Sequence, residues 1–462
     1  MTASRSHAPA TVVRAARARS LPGRRTVLAL AAWVVLLVGV RLWGLHVVAT
    51  RDENLKLRAI PLFGRWAWEA GWWLLLPAVV GALVVAVLPW ASCRWTWHAV
   101  LTVVAAGGVL LSLSLAVAQA HPDVWTNIDD SYARQAGFVE EQGPGAFLRD
   151  YTERQPAYPV HLQGHPPGLV LLFWAAAQVG LSGPWFANAV AMLGAAAAIV
   201  AVLAVLRDVA GERWARRAAP FLVVAPAAVW HTNADIIFGG AALSGVACLI
   251  LATNPARNRR RWVALTLAGG LSFGAALMLT FGVALLVVPV LVVAVLRSRN
   301  GPACGSKPRA ALEPWWAVLG GGAVAALVVL APLAWGYWWL EGLQVTRERY
   351  YAGVASARGY GYFVLANLGV FALALGPAIA VALARLRDRR VWLVVGSGLA
   401  VVLLADLSGM SSGETERIWQ PFMPLVLAAG CALAAVGGAV RGWLTLQLAT
   451  TVLLVAALKV PW

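Results

Sequence analysis

The sequence predicts an all-α polytopic membrane protein, and three observations carry that prediction. Hydrophobic residues make up 60% of the 462 and charged residues only 12%, against about 25% charged in soluble domains. Mean hydropathy is +0.73. The apolar residues fall in runs long enough to cross a hydrocarbon core of roughly 30 Å. A net charge of +17 would suggest a nucleic-acid partner in a soluble chain. Here the basic residues sit in short clusters between apolar runs, so they report topology, and no nucleic acid is expected.

Taken in order, residues 1–25 read as a disordered cytoplasmic tail carrying Arg14, Arg17, Arg19, Arg24 and Arg25, and residues 26–462 as one membrane domain. The run after the tail is too long for a signal-peptide core and lacks a clear cleavage site, so it reads as a retained anchor. Spans are expected near 26–49, 72–90, 97–119, 184–206, 236–253, 262–280, 315–340, 363–384, 419–440 and 443–460. Shorter candidates lie at 168–181, 218–231, 282–297 and 391–407. Cys248 and Cys431 fall inside apolar segments and Cys93 and Cys304 in loops, a pattern with no disulfide framework or thiolate metal site.

Orientation follows from the bias of Lys and Arg toward cytoplasmic loops. With the N-terminus inside, three spans deliver residues 121–168 to the outside, and the next decision is whether 168–181 crosses. If it did, the clusters Arg207–Arg217, Arg257–Arg261, Arg297–Arg309 and Arg385–Arg390, with sixteen basic residues, would face outward, while loops 341–362 and 408–418 hold only four. Residues 168–181 are therefore read as an interfacial or re-entrant helix starting at Pro166-Pro167, where proline suits a first turn. The other short candidates then cross. This gives about 13 transmembrane helices, and sixteen of the twenty acids land on or near the outer face.

The chemistry is expected in the 121–168 loop, the longest polar stretch, which holds seven of those acids. Asp129 and Asp130 are adjacent, so one can face a cavity while the other is held by a cation or the backbone; a carboxylate so placed suits a general base toward a hydroxyl. The bland alternative is a turn or a helix cap. Tyr132 flanks the pair. His161 and His165, with Arg154 upstream, lie where the loop returns to the membrane, a depth suited to a lipid phosphate. Histidines four apart also suit a metal, although no third ligand is near in sequence, and simple interfacial packing accounts for them too. His231 and Asp235 close a span on the same face, where Asp235 or Asn233 also fits a helix cap. Two later outer loops add Arg347, Glu348, Arg349, Tyr350, Tyr351 and Arg358, then Glu414, Glu416 and Arg417, with Arg417 beside Trp419 as in an ordinary interfacial anchor. Arg41 and Asp406 lie near outer span ends, for snorkelling or for pairing.

In Asp129-Asp130-Ser131-Tyr132, His165-Pro166-Pro167-Gly168 and the span end Pro226 through Asp235, the chain resembles the polyprenyl-phosphate-dependent membrane glycosyltransferases of the GT-C superfamily, which include aminoarabinose, protein-mannosyl and arabinofuranosyl transferases. The resemblance covers roughly 98–300 in motif. It departs in having two additional spans before the acidic loop and histidine before the paired prolines. It implies a GT-C-like fold, Asp129 or Asp130 as base, and His165 helping to hold a donor phosphate. It further implies a polyprenyl-phosphate sugar as donor, a glycan, lipid or protein acceptor, and an extracytoplasmic site in the plasma (inner) membrane. A divalent metal is left open. The basic, Ala- and Trp-rich composition looks actinobacterial, which points to cell-envelope glycans. A single displacement would invert the anomeric centre, since no second nucleophilic carboxylate is obvious. The rival classes are a transporter or lipid flippase, which would show repeats and mid-membrane charges, and a non-catalytic envelope scaffold.

Overall fold

In the computed structural model, residues 23–51, 55–119, 123–299, 313–434 and 439–460 are described; most of the basic tail and Cys304 lie outside them. The chain is an all-α, multi-pass membrane protein. Ten helices are long and apolar enough to cross a bilayer, among them Gly282–Arg299 and Arg389–Leu407, two of the short candidates. They are apolar on all sides, as lipid-facing or fully packed helices must be. Only 11% of the first, Arg24–Thr50, is buried, against 78% of Ala234–Ala252, so the latter is the centre of the bundle and the former its lipid-facing edge.

Of the thirteen expected spans, ten are continuous helices among the described residues. The segments expected at 218–231, 363–384 and 419–440 are interrupted rather than continuous. Helix Glu212–Val223 gives way to a 3-10 turn at Pro226–Trp230. Tyr360–Leu375 stops at Gly376 before Pro377–Arg385. The third is the short helix Met423–Leu427 followed by 3-10 residues Ala428–Ala432. Proline removes a donor and clashes with the preceding turn, and the freed backbone groups must find partners inside the protein. They do: Gln447 accepts from Ala378 N at 3.1 Å and donates to Leu375 O at 2.8 Å across the Gly376 break, and Gln420 donates to Trp230 O at 2.6 Å.

Close packing of the central helices depends on small residues, as membrane helix pairs require. A Cβ on Gly240 would lie 2.5 Å from the Gly194 backbone, so Gly183–Val209 and Ala234–Ala252 meet backbone to backbone. Gly168 plays the same part for the loop's return, since a Cβ there would fall 2.3 Å from Met278 O. The ten-residue helix Gly168–Ala177 that follows is about 15 Å long, half a hydrocarbon core.

The connections sort to two ends. At one end Phe63 N donates to Glu416, Arg358 Nε donates to Leu55 O, Arg417 pairs with Asp235, and Thr346 donates to Gln163 O. An antiparallel pairing of Arg65–Trp66 with Leu458–Lys459 closes the same end. At the other, Arg216 donates to Ser92 O and Trp95 O, Arg257 and Arg297 hold Asp208, and Arg385 donates to Thr26. The end carrying residues 123–168 is called the loop end below and the opposite one the basic end.

Candidate active site

Asp129–Ala133 forms a π-helical turn, a wider winding that recurs at functional sites. The extra residue per turn lets Arg134 reach both acids: its Nε lies 3.1 Å from Asp129 Oδ2 and its Nη1 3.0 Å from Asp130 Oδ1. Asp129 is buried while Asp130 is exposed, although one arginine holds both. The other carboxylate oxygen of each has no partner among the described residues.

Tyr132, on the same turn, is buried and directed into a second group. Its hydroxyl is 3.2 Å from His165 Nδ1, and its ring meets His161, His165 and Phe238. His165 Nδ1 is also 2.8 Å from the carbonyl oxygen of His161. A carbonyl only accepts, so we assign the proton to Nδ1, which leaves Nε2 as an acceptor while the ring is neutral. Burial pushes His161 down to about 4, with Arg417 adding to the effect, and lowers His165 despite the opposing pull of Asp235. Burial likewise raises the Tyr132 phenol, with Asp235 as the next cause. Both histidines are therefore uncharged at neutral pH.

Beneath them lies a buried charge string. Arg417 Nη1 is 2.9 Å from Asp235 Oδ2 and its Nη2 2.7 Å from Glu414 Oε2, and Arg358 Nη1 approaches Glu414 Oε1 at 3.5 Å. Burial disfavours the charged guanidinium of Arg417, but Asp235 and Glu414 outweigh it and hold the group firmly protonated. Glu414 sits in the left-handed region at φ 60, a conformation that costs about 1–2 kcal/mol for a residue with a Cβ; the two arginines offset that strain. Glu416 is fully buried. It accepts from Phe63 N at 2.9 Å through Oε1, while Oε2 has no partner among the described residues. Burial pushes its carboxyl up to about 7 against the pull of its backbone hydrogen bonds.

The sequence-predicted residues thus divide. Tyr132, His161, His165, Asp235 and Arg417 come together, with Glu414 acting on His161. The acid pair shares the π-turn with Tyr132, but neither acid is among the charges that shift the histidines. Arg349 joins the rim through Gln163, its Nη2 3.0 Å from Oε1, and its buried Nε has no partner among the described residues. Arg154 pairs with Asp150 at 3.4 Å. His231 bonds Ser112 Oγ at 2.8 Å and takes no part in the cluster's electrostatics. Arg41 donates to Ile60 O and Asp406 accepts from Asn367, so both are occupied elsewhere. Sequence reasoning missed Arg134, which closes the Asp129–Arg134 run, so proximity in sequence was the available signal; Arg358, Glu414 and Glu416 were already candidates from the two later outer loops, both glutamates lying just before Arg417. No group of three or more His, Cys, Asp or Glu among the described residues is placed to hold a metal ion.

Fold and site together define a multi-pass membrane protein with a buried acid–base cluster at one end of its bundle. Neither a family model nor a curated protein matches the chain. Among solved structures it is similar to the crystal structure of ArnT from Cupriavidus metallidurans bound to undecaprenyl phosphate, at 18% identity and a TM-score of 0.42 over 72% of this chain. The match spans 61% of that protein's chain.

Proposed function

We propose that the loop end is the active site of an inverting GT-C-type glycosyltransferase that moves a sugar from a polyprenyl-phosphate donor to an envelope glycan, lipid or protein, on the extracytoplasmic face. The observation that supports it best is the meeting of the two motifs behind the sequence resemblance: Tyr132, two residues beyond the acid pair, touches His165 of the His-Pro-Pro-Gly return. In this reading Asp129 takes the proton of the acceptor hydroxyl as the hydroxyl oxygen attacks the anomeric carbon and the carbon–phosphate oxygen bond breaks. Arg134 holds both acids in place, Nε on Asp129 and Nη1 on Asp130. Asp130, more exposed, positions the acceptor.

Charge developing on the departing phosphate needs donors already in place. Arg417 is committed to two carboxylates, so a phosphate would have to displace one of them. Arg349, with its unpartnered Nε, is the better anchor. His165 contributes once the incoming anion raises its proton affinity and Nε2 takes up a proton. The test supplies radiolabelled polyprenyl-phosphate sugars to membranes with and without the protein and follows label into acceptor. Transfer that depends on the protein and disappears in the Asp129→Asn/Asp130→Asn double variant supports the reading; full transfer by that variant removes it.

A further inference from the structure

The basic end holds a cavity of about 490 Å³ lined by Arg213, Arg216 and Arg217, by one carboxylate, Glu212, and by apolar Pro89, Pro220 and Val440, with Cys93 on its wall. Three helix ends frame it: the last turn of Leu75–Arg94 and the first turns of Glu212–Val223 and Ala439–Ala457. Arg213 and Arg217 are four apart, hence on one helix face. Arg217 is braced over the Trp214 ring, 5.3 Å from its centroid. Neither guanidinium has a carboxylate partner among the described residues.

The acids of this end are already engaged. Glu212 gives one oxygen to Arg207 at 2.7 Å and the other to Arg216 at 2.6 Å. Asp208 is held by Arg257 and Arg297. Asp388 caps Arg390 N and Val391 N. Glu313 begins a helix packed on Arg259–Leu279 and Val287–Arg299, and none of these helices contributes a residue to the cavity lining. The sequence at 1–22, 300–312 and 435–438 contains no Asp or Glu, so those segments bring no counter-charge. Two uncompensated cations above apolar walls, at the level where three membrane helices end, ask for an anion with an apolar body.

We infer that this cavity binds the phosphate of an anionic glycerophospholipid, the acyl chain lying along Pro89, Pro220 and Val440. Basic pockets between membrane helices take lipid phosphates by the same physics. The site is separate from the loop end, and its test does not involve sugar transfer.

The full-length protein is placed in nanodiscs of phosphatidylcholine, or of phosphatidylcholine with phosphatidylglycerol, and alkylation of Cys93 by N-ethylmaleimide is followed by peptide mass spectrometry. Phosphatidylglycerol is expected to slow alkylation. Arg213→Gln/Arg217→Gln should raise the phosphatidylglycerol fraction needed for half protection about 30-fold, roughly fivefold for each cation. The Arg213→Lys/Arg217→Lys variant should keep most of the protection. If the double Gln variant does not fold, Arg213→Gln alone, at an exposed position, should show the roughly fivefold shift. Equal alkylation in both lipids, or slowing that persists undiminished in the Gln variants, overturns the inference. Inorganic phosphate protecting as well as the lipid, in phosphatidylcholine alone, assigns the cavity to a soluble anion and overturns the lipid assignment.

Discussion

Two buried ionic clusters stand at opposite ends of the bundle, and they are built differently. At the basic end Asp208 is closed on both oxygens, accepting from Asn254 and Arg257 on one and from Arg297 on the other. At the loop end three acids, Asp235, Glu414 and Glu416, surround Arg417 and Arg358, and neutral histidines lie above them. There a carboxylate oxygen, Glu416 Oε2, lacks a partner among the described residues, as does Arg349 Nε; at the basic end the same holds for Arg257 Nε and Ser92 Oγ but for no carboxylate oxygen. A carboxylate closed on every side can only tie helices together. A region that must admit an anion and move a proton has to keep groups in reserve, and unsatisfied buried polar atoms are where such reserves show.

The largest expected effect tests whether the two clusters are equal as structure. Asp208→Asn leaves two arginines without their counter-charge, and Arg417→Ala leaves Asp235 and Glu414 facing each other. Breaking one side of a buried pair costs about 3–5 kcal/mol. Both variants should therefore lower the thermal midpoint of the detergent-solubilised protein by similar amounts. A negligible shift for Arg417→Ala would mean that its carboxylates are solvated, and the string would cease to be a structural tie.

The next effect separates the clusters by chemistry. Asp129→Asn keeps shape and hydrogen bonding while removing basicity, so turnover in the transfer assay should fall about 100-fold or more with little change in midpoint. Asp130→Asn, exposed and sharing the same arginine, should lose less. A reversed order moves the base to Asp130, and two unimpaired single variants would leave the acid pair as a helix-turn tie like Asp208.

Glu416 gives a pH signature that the basic end lacks. Its folded-state value of about 7 lies above the ordinary carboxylate range, so the stability it contributes is full below about 4.5 and lost as pH rises through 7. Glu416→Gln keeps an acceptor for Phe63 N and stays neutral. Relative to wild type it should gain nothing below pH 4.5 and about 3.5 kcal/mol above pH 7, at about 1.4 kcal/mol for each pKa unit between 4.5 and about 7. A pH-independent difference between the two proteins would show that Glu416 does not change charge on folding.

How much of this was legible in the sequence differs between the clusters too. The membrane class and the two ends followed from apolar length and the placement of Arg, because both are local in sequence. Tyr132 and His165 were both placed in the 121–168 loop, 33 positions apart, but their contact was not read from the sequence. Nor were the interrupted crossings, because hydropathy is blind to where Gly376-Pro377 or Pro226 breaks a helix. Arg134 was passed over, and the partners of Glu414 were not foreseen, for a related reason: those pairings are chosen by π-helical winding and by a left-handed backbone at Glu414, neither of which leaves a hydrophobic period. Glu416 owes its raised carboxyl to burial, and the backbone donor that meets it, Phe63 N, lies 353 positions away; only the fold supplies either.

The smallest expected effect asks whether the join between the motifs belongs to the chemistry or to the packing. Tyr132→Phe removes one hydroxyl, while His165 keeps its bond to the His161 carbonyl, so stability should fall by only about 0.5–1.5 kcal/mol. If Tyr132 positions His165 for the donor, kcat/KM should fall by a factor of about 5–10, since roughly 1.4 kcal/mol is tenfold. The loss should appear mainly in KM for the donor, because an orienting contact is made in the ground state as well as the transition state. His165→Gln should reduce donor use further, and adding Tyr132→Phe to it should cost nothing more in activity, the two residues acting as one unit. A Tyr132→Phe enzyme with unchanged donor KM and kcat would leave the tyrosine–histidine contact a packing device. The loop end would then be distinguished from the basic end by its acids alone.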